Sequence, residues 1–225
     1  MNPKKIYILL ASFGLLAGNP VWATAEQIIV PLAARFTVGK GKANTDWYLW
    51  RDEKRIETAS PASGRGDIWE RIGQDAYNRR QVFHDDRRIV EYTPGEIRTR
   101  QAEPDWSALG SIISPRLLGK LRRGGSKSLF GQNAVYYSGQ LAGQRLAMWW
   151  LEQAQLPAQL QLVGKTGSFH MQLREIRSNE SSRWPRASAE RIATYAVIDA
   201  ADFGDKEYDP FVARLQQQDG VQHTH

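Results

Sequence analysis

WYLWRDEKRIETA (Trp47–Ala59), GDIWERI (Gly66–Ile72), NRRQVFHD (Asn78–Asp85) and RRIVEYTP (Arg87–Pro94) follow one another with almost nothing helical between them. Each run is short, β-prone and bounded by Gly, Pro, Asp or Asn, the composition of antiparallel strands joined by tight turns. Side chains alternate across a strand, so Trp47 and Leu49 go to one face and Tyr48 and Trp50 to the other. Both faces therefore carry aromatic bulk. A sheet of that kind must be covered twice, or must curl so that its inside lines a cavity while another element covers part of it. Trp69 shares a side with Asp67 and Arg71, and Val82 shares one with His84. The charges Arg55, Glu57, Glu70 and Arg88 are expected at rims or paired across strands.

Beyond Pro94 the period changes. Trp106, Leu109, Ile112, Ile113, Leu117, Leu118 and Leu121 recur at steps of three and four, the mark of an amphipathic helix, but Pro115 interrupts the series. Asp105 and Ser114-Pro115 are both helix starts, so two short helices are predicted, over 106–113 and 115–122. Their apolar stripe needs a partner, and the concave side of the sheet is available. KLRRGGSK (Lys120–Lys127), the one basic run without acids, reads as a flexible surface loop. NAVYYSG, QRLAMWWLE, AQLQLVGK and SFHMQLREI then form a second run of strands. In QRLAMWWL, Leu146, Met148 and Trp150 alternate with Ala147, Trp149 and Leu151, which predicts a central strand buried on both sides, with Leu156 and Pro157 marking the turn that follows. Phe169, Met171 and Leu173 are expected inward, and His170, Gln172 and Arg174 outward. Asp209-Pro210 starts a last helix whose stripe is Tyr208, Phe211, Val212 and Leu215, and residues 216–225 read as a flexible tail.

Upstream of the meander, Ile28–Phe36 opens as a short helix or strand, and GKGKANTD (Gly39–Asp46) is a hairpin turn lacking the spacing of a phosphate loop. The first residues address the compartment. Lys4 and Lys5 precede the apolar run Ile6–Ala17, and Ala23-Thr24-Ala25 is an A-x-A cleavage site, so 1–25 is a secretory signal peptide and the mature protein is periplasmic. No cysteine is available for a lipid anchor or a disulfide. Residues 26–215 are expected to form one domain. Loss of the leader lowers the formal charge from +6 by the two lysines it carries, a mild surplus whose basic residues alternate with acids, unlike a nucleic-acid surface.

Chemistry is harder to find. None of the four histidines has a metal or catalytic spacing. His84-Asp85-Asp86 suits a strand end better than a metal, and His223 and His225 lie on a terminus without further ligands. No serine lies in G-x-S-x-G and no H-E-x-x-H is present, so the chain is read as a non-enzyme requiring no cofactor. What stands out is the set of eight tryptophans beside methionines and other aromatics on strands. A large filled core accounts for them, and so does a cavity for an apolar ligand. In the second case the lining would be Trp47, Trp50, Trp69, Trp106, Leu117, Leu118, Met148, Trp149, Trp150, Phe169 and Met171, with the helices of 106–122 as a lid.

The order of elements between Phe36 and Ile176 resembles the periplasmic lipoprotein-carrier family of LolA, LolB and the regulator RseB. The resemblance rests on W-x-x-x-R (Trp47–Arg51), R-I-E (Arg55–Glu57), V-E-Y-T-P (Val90–Pro94) and paired short helices ending in R-L-L (Arg116–Leu118) before a second meander. It implies an α+β fold, a curved antiparallel half-barrel with short helices over its concave face. It also implies a soluble carrier of an acyl chain or lipoprotein or, as the alternative, an envelope sensor or assembly factor that binds a protein partner through the sheet. Asp202–Phe211 falls outside the resemblance.

Overall fold

The computed structural model describes residues 29–41, 43–165, 167–178, 184–206 and 208–220. The leader at 1–25, His223 and His225 lie outside the described residues. The first meander comprises β1 (Leu32–Lys40), β2 (Ala43–Arg51), β3 (Arg55–Ser60), β4 (Arg65–Arg71), β5 (Tyr77–Phe83) and β6 (Arg88–Tyr92). The second comprises β7 (Arg122–Leu129), β8 (Gln132–Leu141), β9 (Gln144–Leu151), β10 (Leu156–Gly164) and β11 (Gly167–Arg177), and β12 (Ala196–Asp199) follows later. All join one curved, unclosed sheet of twelve strands in the order β12-β6-β5-β4-β3-β2-β1-β11-β10-β9-β8-β7. Every pairing is antiparallel except β12 with β6. The meanders meet where β1 pairs with β11, Ala33 opposite Arg177 and Lys40 opposite Phe169.

Three short helices cross from one meander to the other: α1 (Pro94–Thr99), α2 (Trp106–Ser111) and α3 (Pro115–Leu118). The α1 start is a capping box in which Thr93 N–H donates to Glu96 at 2.7 Å while the Thr93 side chain accepts from Glu96 N–H. The sequence gives no helical signal there, because V-E-Y-T-P ends a strand and six residues are too few to show helical periodicity. The α2 and α3 caps are those predicted: Asp105 accepts from Ala108 N–H at 3.0 Å, and Ser114 from Leu117 N–H at 3.1 Å. Both helices are shorter than predicted. Ile112 leaves the helical region with φ of 70°, and α3 ends at Gly119, so Leu121 is a buried link into β7 rather than a helical residue.

The register defines two faces. The helix-covered inner face receives Leu32, Ala34, Phe36 and Val38 of β1, Trp47 and Leu49 of β2, Ile56, Trp69, Leu146, Met148, Phe169, Met171 and Leu173, all in one buried cluster with Ile97, Trp106 and Ile113 of the helical crossover. Further along the same face, Phe83, Val90 and Ile198 are covered by Phe211, Val212 and Leu215 of α5 (Pro210–Gly220). Tyr208, expected in that stripe, is 91% exposed because it precedes the first helical turn. Helix α5 continues through Gly220, five residues into the segment read as a tail, and 221–225 lie outside the described residues.

The outer face of the first meander is covered as well. Trp184 lies against Tyr48 and Trp50, with ring centroids 5.5 and 6.3 Å away, and Ala187 and Ile192 pack on Ile68, Val82 and Ile89. Residues 184–195, including α4 (Ala189–Ile192), thus form a strap across this face. Its anchor is Glu57, 1% exposed, which accepts from Ala187 N–H at 2.6 Å, Arg55 at 2.9 Å and Arg186 at 3.2 Å. Of the two arrangements that Trp47–Trp50 allow, covering on both faces is present in the first meander, supplied on one side by the crossover helices and on the other by residues 184–195.

Among the described residues, the second meander is covered on one face only. Strand β9 is the third from the edge rather than central, and Trp149 is half-buried beneath Lys127 Nζ, 3.9 Å from its ring, because the strap stops short of this half of the sheet. Leu156 and Pro157 lie within β10, the turn being Glu152–Gln155. Lys120–Lys127 is no loop either: from Arg122 it is edge strand β7, whose two glycines and lack of apolar alternation hide the strand pattern.

Candidate functional site

Seven of the eleven residues read as a ligand-contacting set lie in the single inner cluster: Trp47, Trp69, Trp106, Met148, Trp150, Phe169 and Met171. Leu117 and Leu118 of α3 pack against it, half-buried. Strand alternation turns the other two to the outer face. Trp50 belongs to the cluster beneath Trp184, whereas Trp149, opposite to Met148 and Trp150 and beside Tyr136, is half-buried and still packs against the inner cluster. Met148 and Met171 are 1% exposed and Trp150 5%, so the inner cluster is closed to water, with α2 and α3 as its covering.

The covering is held by a residue that the reading of candidate sites passed over. Arg51 ends β2 with its side chain inward, 1% exposed, and donates to Val30 O at 3.0 Å, to Gln155 O at 3.3 Å, and to Gly110 O and Ala154 O in buried contacts. One guanidinium thus ties the start of the described chain, the end of α2 and the β9–β10 turn to β2. Every one of these acceptors is a backbone carbonyl. Removal from water lowers the Arg51 pKa to about 10, and the group remains charged at neutral pH. An arginine suits this position because its planar fork of five donors reaches several carbonyls that one ammonium could not serve together. W-x-x-x-R was the available signal: Arg51 is two residues beyond Leu49 and four beyond Trp47, so the same alternation that buries them buries it.

Two further features mark the covering helices. Gly110 is packed so tightly that a Cβ there would lie 3.0 Å from Ile29 and 3.5 Å from Ile56. Ile112, between α2 and α3, has φ of 70°, a conformation strained for a β-branched residue. Trp106 stacks on Tyr77 at 5.6 Å with Arg71 over its ring, and its buried Nε1–H has no hydrogen-bond partner among the described residues.

A polar group lies on the same face between this cluster and the α5 cluster. Arg79 makes a two-pronged pair with Asp67 at 2.7 and 3.0 Å and lies between the rings of Trp69 and Tyr92, 5.0 and 5.5 Å from their centroids. These charges satisfy one another. On the outer face, His84 Nδ1 meets Tyr195 Oη at 2.9 Å, and burial is the main cause that lowers the His84 pKa, followed by the charge of Arg191. His170 meets Asn44. No cluster of three or more His, Cys, Asp or Glu that could hold a metal occurs among the described residues, nor does a helix long and apolar enough to cross a membrane.

No protein-family model and no curated protein matches the chain. Solved structures similar to it include PNGF-II (8% identity over 79% of this chain and 33% of that one, TM-score 0.42). They also include the Pseudomonas aeruginosa MucA/MucB complex (13%, 71% and 56%, TM-score 0.37), MucB being an RseB protein. A third is a putative outer-membrane lipoprotein-sorting domain from Vibrio parahaemolyticus (10%, 67% and 86%, TM-score 0.27). The chain spans a third of the PNGF-II chain and about half of the MucA/MucB match.

Proposed function

We propose that this is a periplasmic carrier that takes a hydrophobic ligand, an acyl chain or the lipid part of a lipoprotein, onto the inner face of its sheet when α2 and α3 swing away. The observation that carries the reading is the attachment of these helices. Their apolar side chains Leu109, Ile112, Leu117 and Leu118 are only half-buried, and a buried cation bonded to backbone carbonyls fastens the end of α2. A permanent core gains little from such a group, since burying a guanidinium costs several kcal/mol that a packed aliphatic residue avoids. A closure that must release gains a contact that is directional and readily exchanged for water. The strained Ile112 supports a hinge at the same place, because opening lets it relax. The Trp106 Nε1–H offers a donor for an ester or amide carbonyl, and the surrounding Trp, Met and Phe side chains supply apolar contact at roughly 25 cal/mol per Å² buried.

The test is a pair of measurements on one sample series. Leu117→Asn weakens the covering without entering the strands, so an environment-sensitive apolar dye is expected to bind saturably at urea concentrations well below the unfolding transition, with the far-UV signal of the sheet intact. Dye binding that coincides with unfolding in both wild type and variant would establish a filled core and end the carrier reading. Mass spectrometry of an organic extract of the protein purified from the periplasm identifies the ligand. N-terminal sequencing of the same preparation is expected to begin at Glu26.

A further inference from the structure

Charge is unevenly distributed along the chain. Residues 122–174 contain six basic residues and one acid, Glu152, against a whole-chain surplus of six. The second meander thus has a net surplus of positive charge, which Glu175 and Arg177 at the end of β11 leave unchanged, and its outer end is β7, R-R-G-G-S-K-S-L. Arg122 to Ser128 are exposed without exception, and among the described residues β7 pairs only with β8, so one side of its backbone is an open row of donors and acceptors. Gly125 has nothing within 4 Å of where a Cβ would stand, which leaves room for another backbone to approach.

We propose that β7 is a docking edge for an extended acidic segment of a partner protein, which adds as a thirteenth strand beside Arg122–Leu129. The backbone groups of β7 supply the ladder, and Arg122 and Lys127 supply selectivity, Arg123 being paired with Glu152 at 3.1 Å. Basic side chains on an edge discourage pairing with an identical edge, since antiparallel addition of a second β7 sets like charges opposite one another. The same charges favour an acidic strand and speed its encounter. The competing occupant is the far end of a second copy of this chain, where Asp199, Asp202 and Asp209 follow β12. Those acids are engaged at home: Asp199 caps Ala201 N–H, Asp202 pairs with Lys206, and Asp209 pairs with Arg88 and caps α5. The docking edge is independent of what the inner face binds, because β7 lies four strands from β11 and its exposed residues contribute nothing to the inner cluster.

The test uses fluorescence anisotropy with a labelled (Val-Glu)4 peptide on the purified protein. Saturable binding is expected, with (Val-Lys)4 failing to bind and the double variant Arg122→Glu/Lys127→Glu losing at least about tenfold in affinity while keeping the wild-type urea midpoint. A (Val-Glu)4 peptide N-methylated at alternate residues is expected to lose binding as well, since it cannot complete the ladder. Equal binding of the methylated peptide would mean charge adsorption rather than an added strand and would overturn the proposal. So would indifference to the double variant. Two further outcomes would also overturn it: self-association on sedimentation that the double variant abolishes, or vesicles of phosphatidylglycerol binding the protein while (Val-Glu)4 does not.

Discussion

Replacing Arg51 with methionine separates a releasable covering from a fixed one. Methionine nearly matches the aliphatic stem but removes the donors to Val30, Gly110, Ala154 and Gln155. Two of those contacts, to Gly110 O and Ala154 O, are buried, and each carbonyl stranded there costs about 1–3 kcal/mol. The sum, about 2–6 kcal/mol, is an upper limit, because the variant is also spared several kcal/mol of cation desolvation. Global stability is therefore expected to change by less than the sum of the lost bonds. The position of α2 is more sensitive, since the Gly110 contact acts on it directly. Losing about 1–3 kcal/mol from the closed state raises the open fraction roughly 5- to 150-fold, and the apparent affinity of a ligand that binds only the open state rises by the same factor. Titration with an apolar dye in the absence of denaturant, beside urea unfolding, checks this. A lowered urea midpoint with unchanged dye affinity would show that Arg51 stabilises the whole fold and does not hold a movable element, which would refute the reasoning.

Further predictions concern the other faces. Trp50→Ala opens a hole under Trp184 and should destabilise by about 3–5 kcal/mol, whereas Trp149→Ala, half-exposed beneath Lys127, should cost no more than about 1–2 kcal/mol; equal shifts in urea midpoint would contradict the one-sided covering of the second meander. Glu57→Ala takes a carboxylate partner from Arg186, leaves Arg55 to Glu70 and strands the buried Ala187 N–H, so a loss of about 1–3 kcal/mol is expected together with new proteolytic cleavage in 184–195, and a cleavage pattern identical to wild type would argue against its role as the strap anchor. For pH, His84 has a folded-state pKa below its ordinary 6.5, so the unfolded chain takes up its proton first and stability should fall as pH drops through 6.5. Asp209, lowered from 3.8 chiefly by the Phe211 N–H, contributes stability that is present above 3.8 and lost only in more acid solution. The component near pH 6.5 should vanish in His84→Phe when urea midpoints are compared between pH 7.5 and 5, both taken as approximate ends of the His titration range.

Legibility in the sequence followed the strength of the local signal. The first meander was plain because its strands alternate and its turns are punctuated, and the inner side of β11 was plain because Phe169, Met171 and Leu173 alternate with His170, Gln172 and Arg174. The caps Asp105, Ser114 and Asp209 were readable because a side chain that accepts from its own helix leaves a mark within three residues. Other features depend on partners far along the chain. Nothing near Trp149 tells that the strap covers Trp50 and ends before reaching β9. Strand β7 has no apolar alternation, because an edge strand with both sides open to water needs none. The alternation from Trp47 and Leu49 turns Arg51 inward, but its partners Gly110 and Ala154 come from 59 and 103 residues away and leave no mark beside it.

The pairing of β1 with β11 has a consequence for biosynthesis. Ala33 must wait for Arg177, so a chain emerging from its amino terminus can complete the hairpins of the first half while one flank of Leu-Ala-Ala-Arg-Phe-Thr-Val remains bare until nearly four-fifths of the polypeptide has been made. That flank is apolar on alternate residues and central in the finished sheet, so it lacks the charged guard that β7 carries. Slow closure between such distant segments makes the interval before β11 arrives the period of greatest exposure to aggregation. Chains interrupted between β6 and β11 should accordingly collect as insoluble material or on holdase chaperones, even though the strands they already contain are correctly paired.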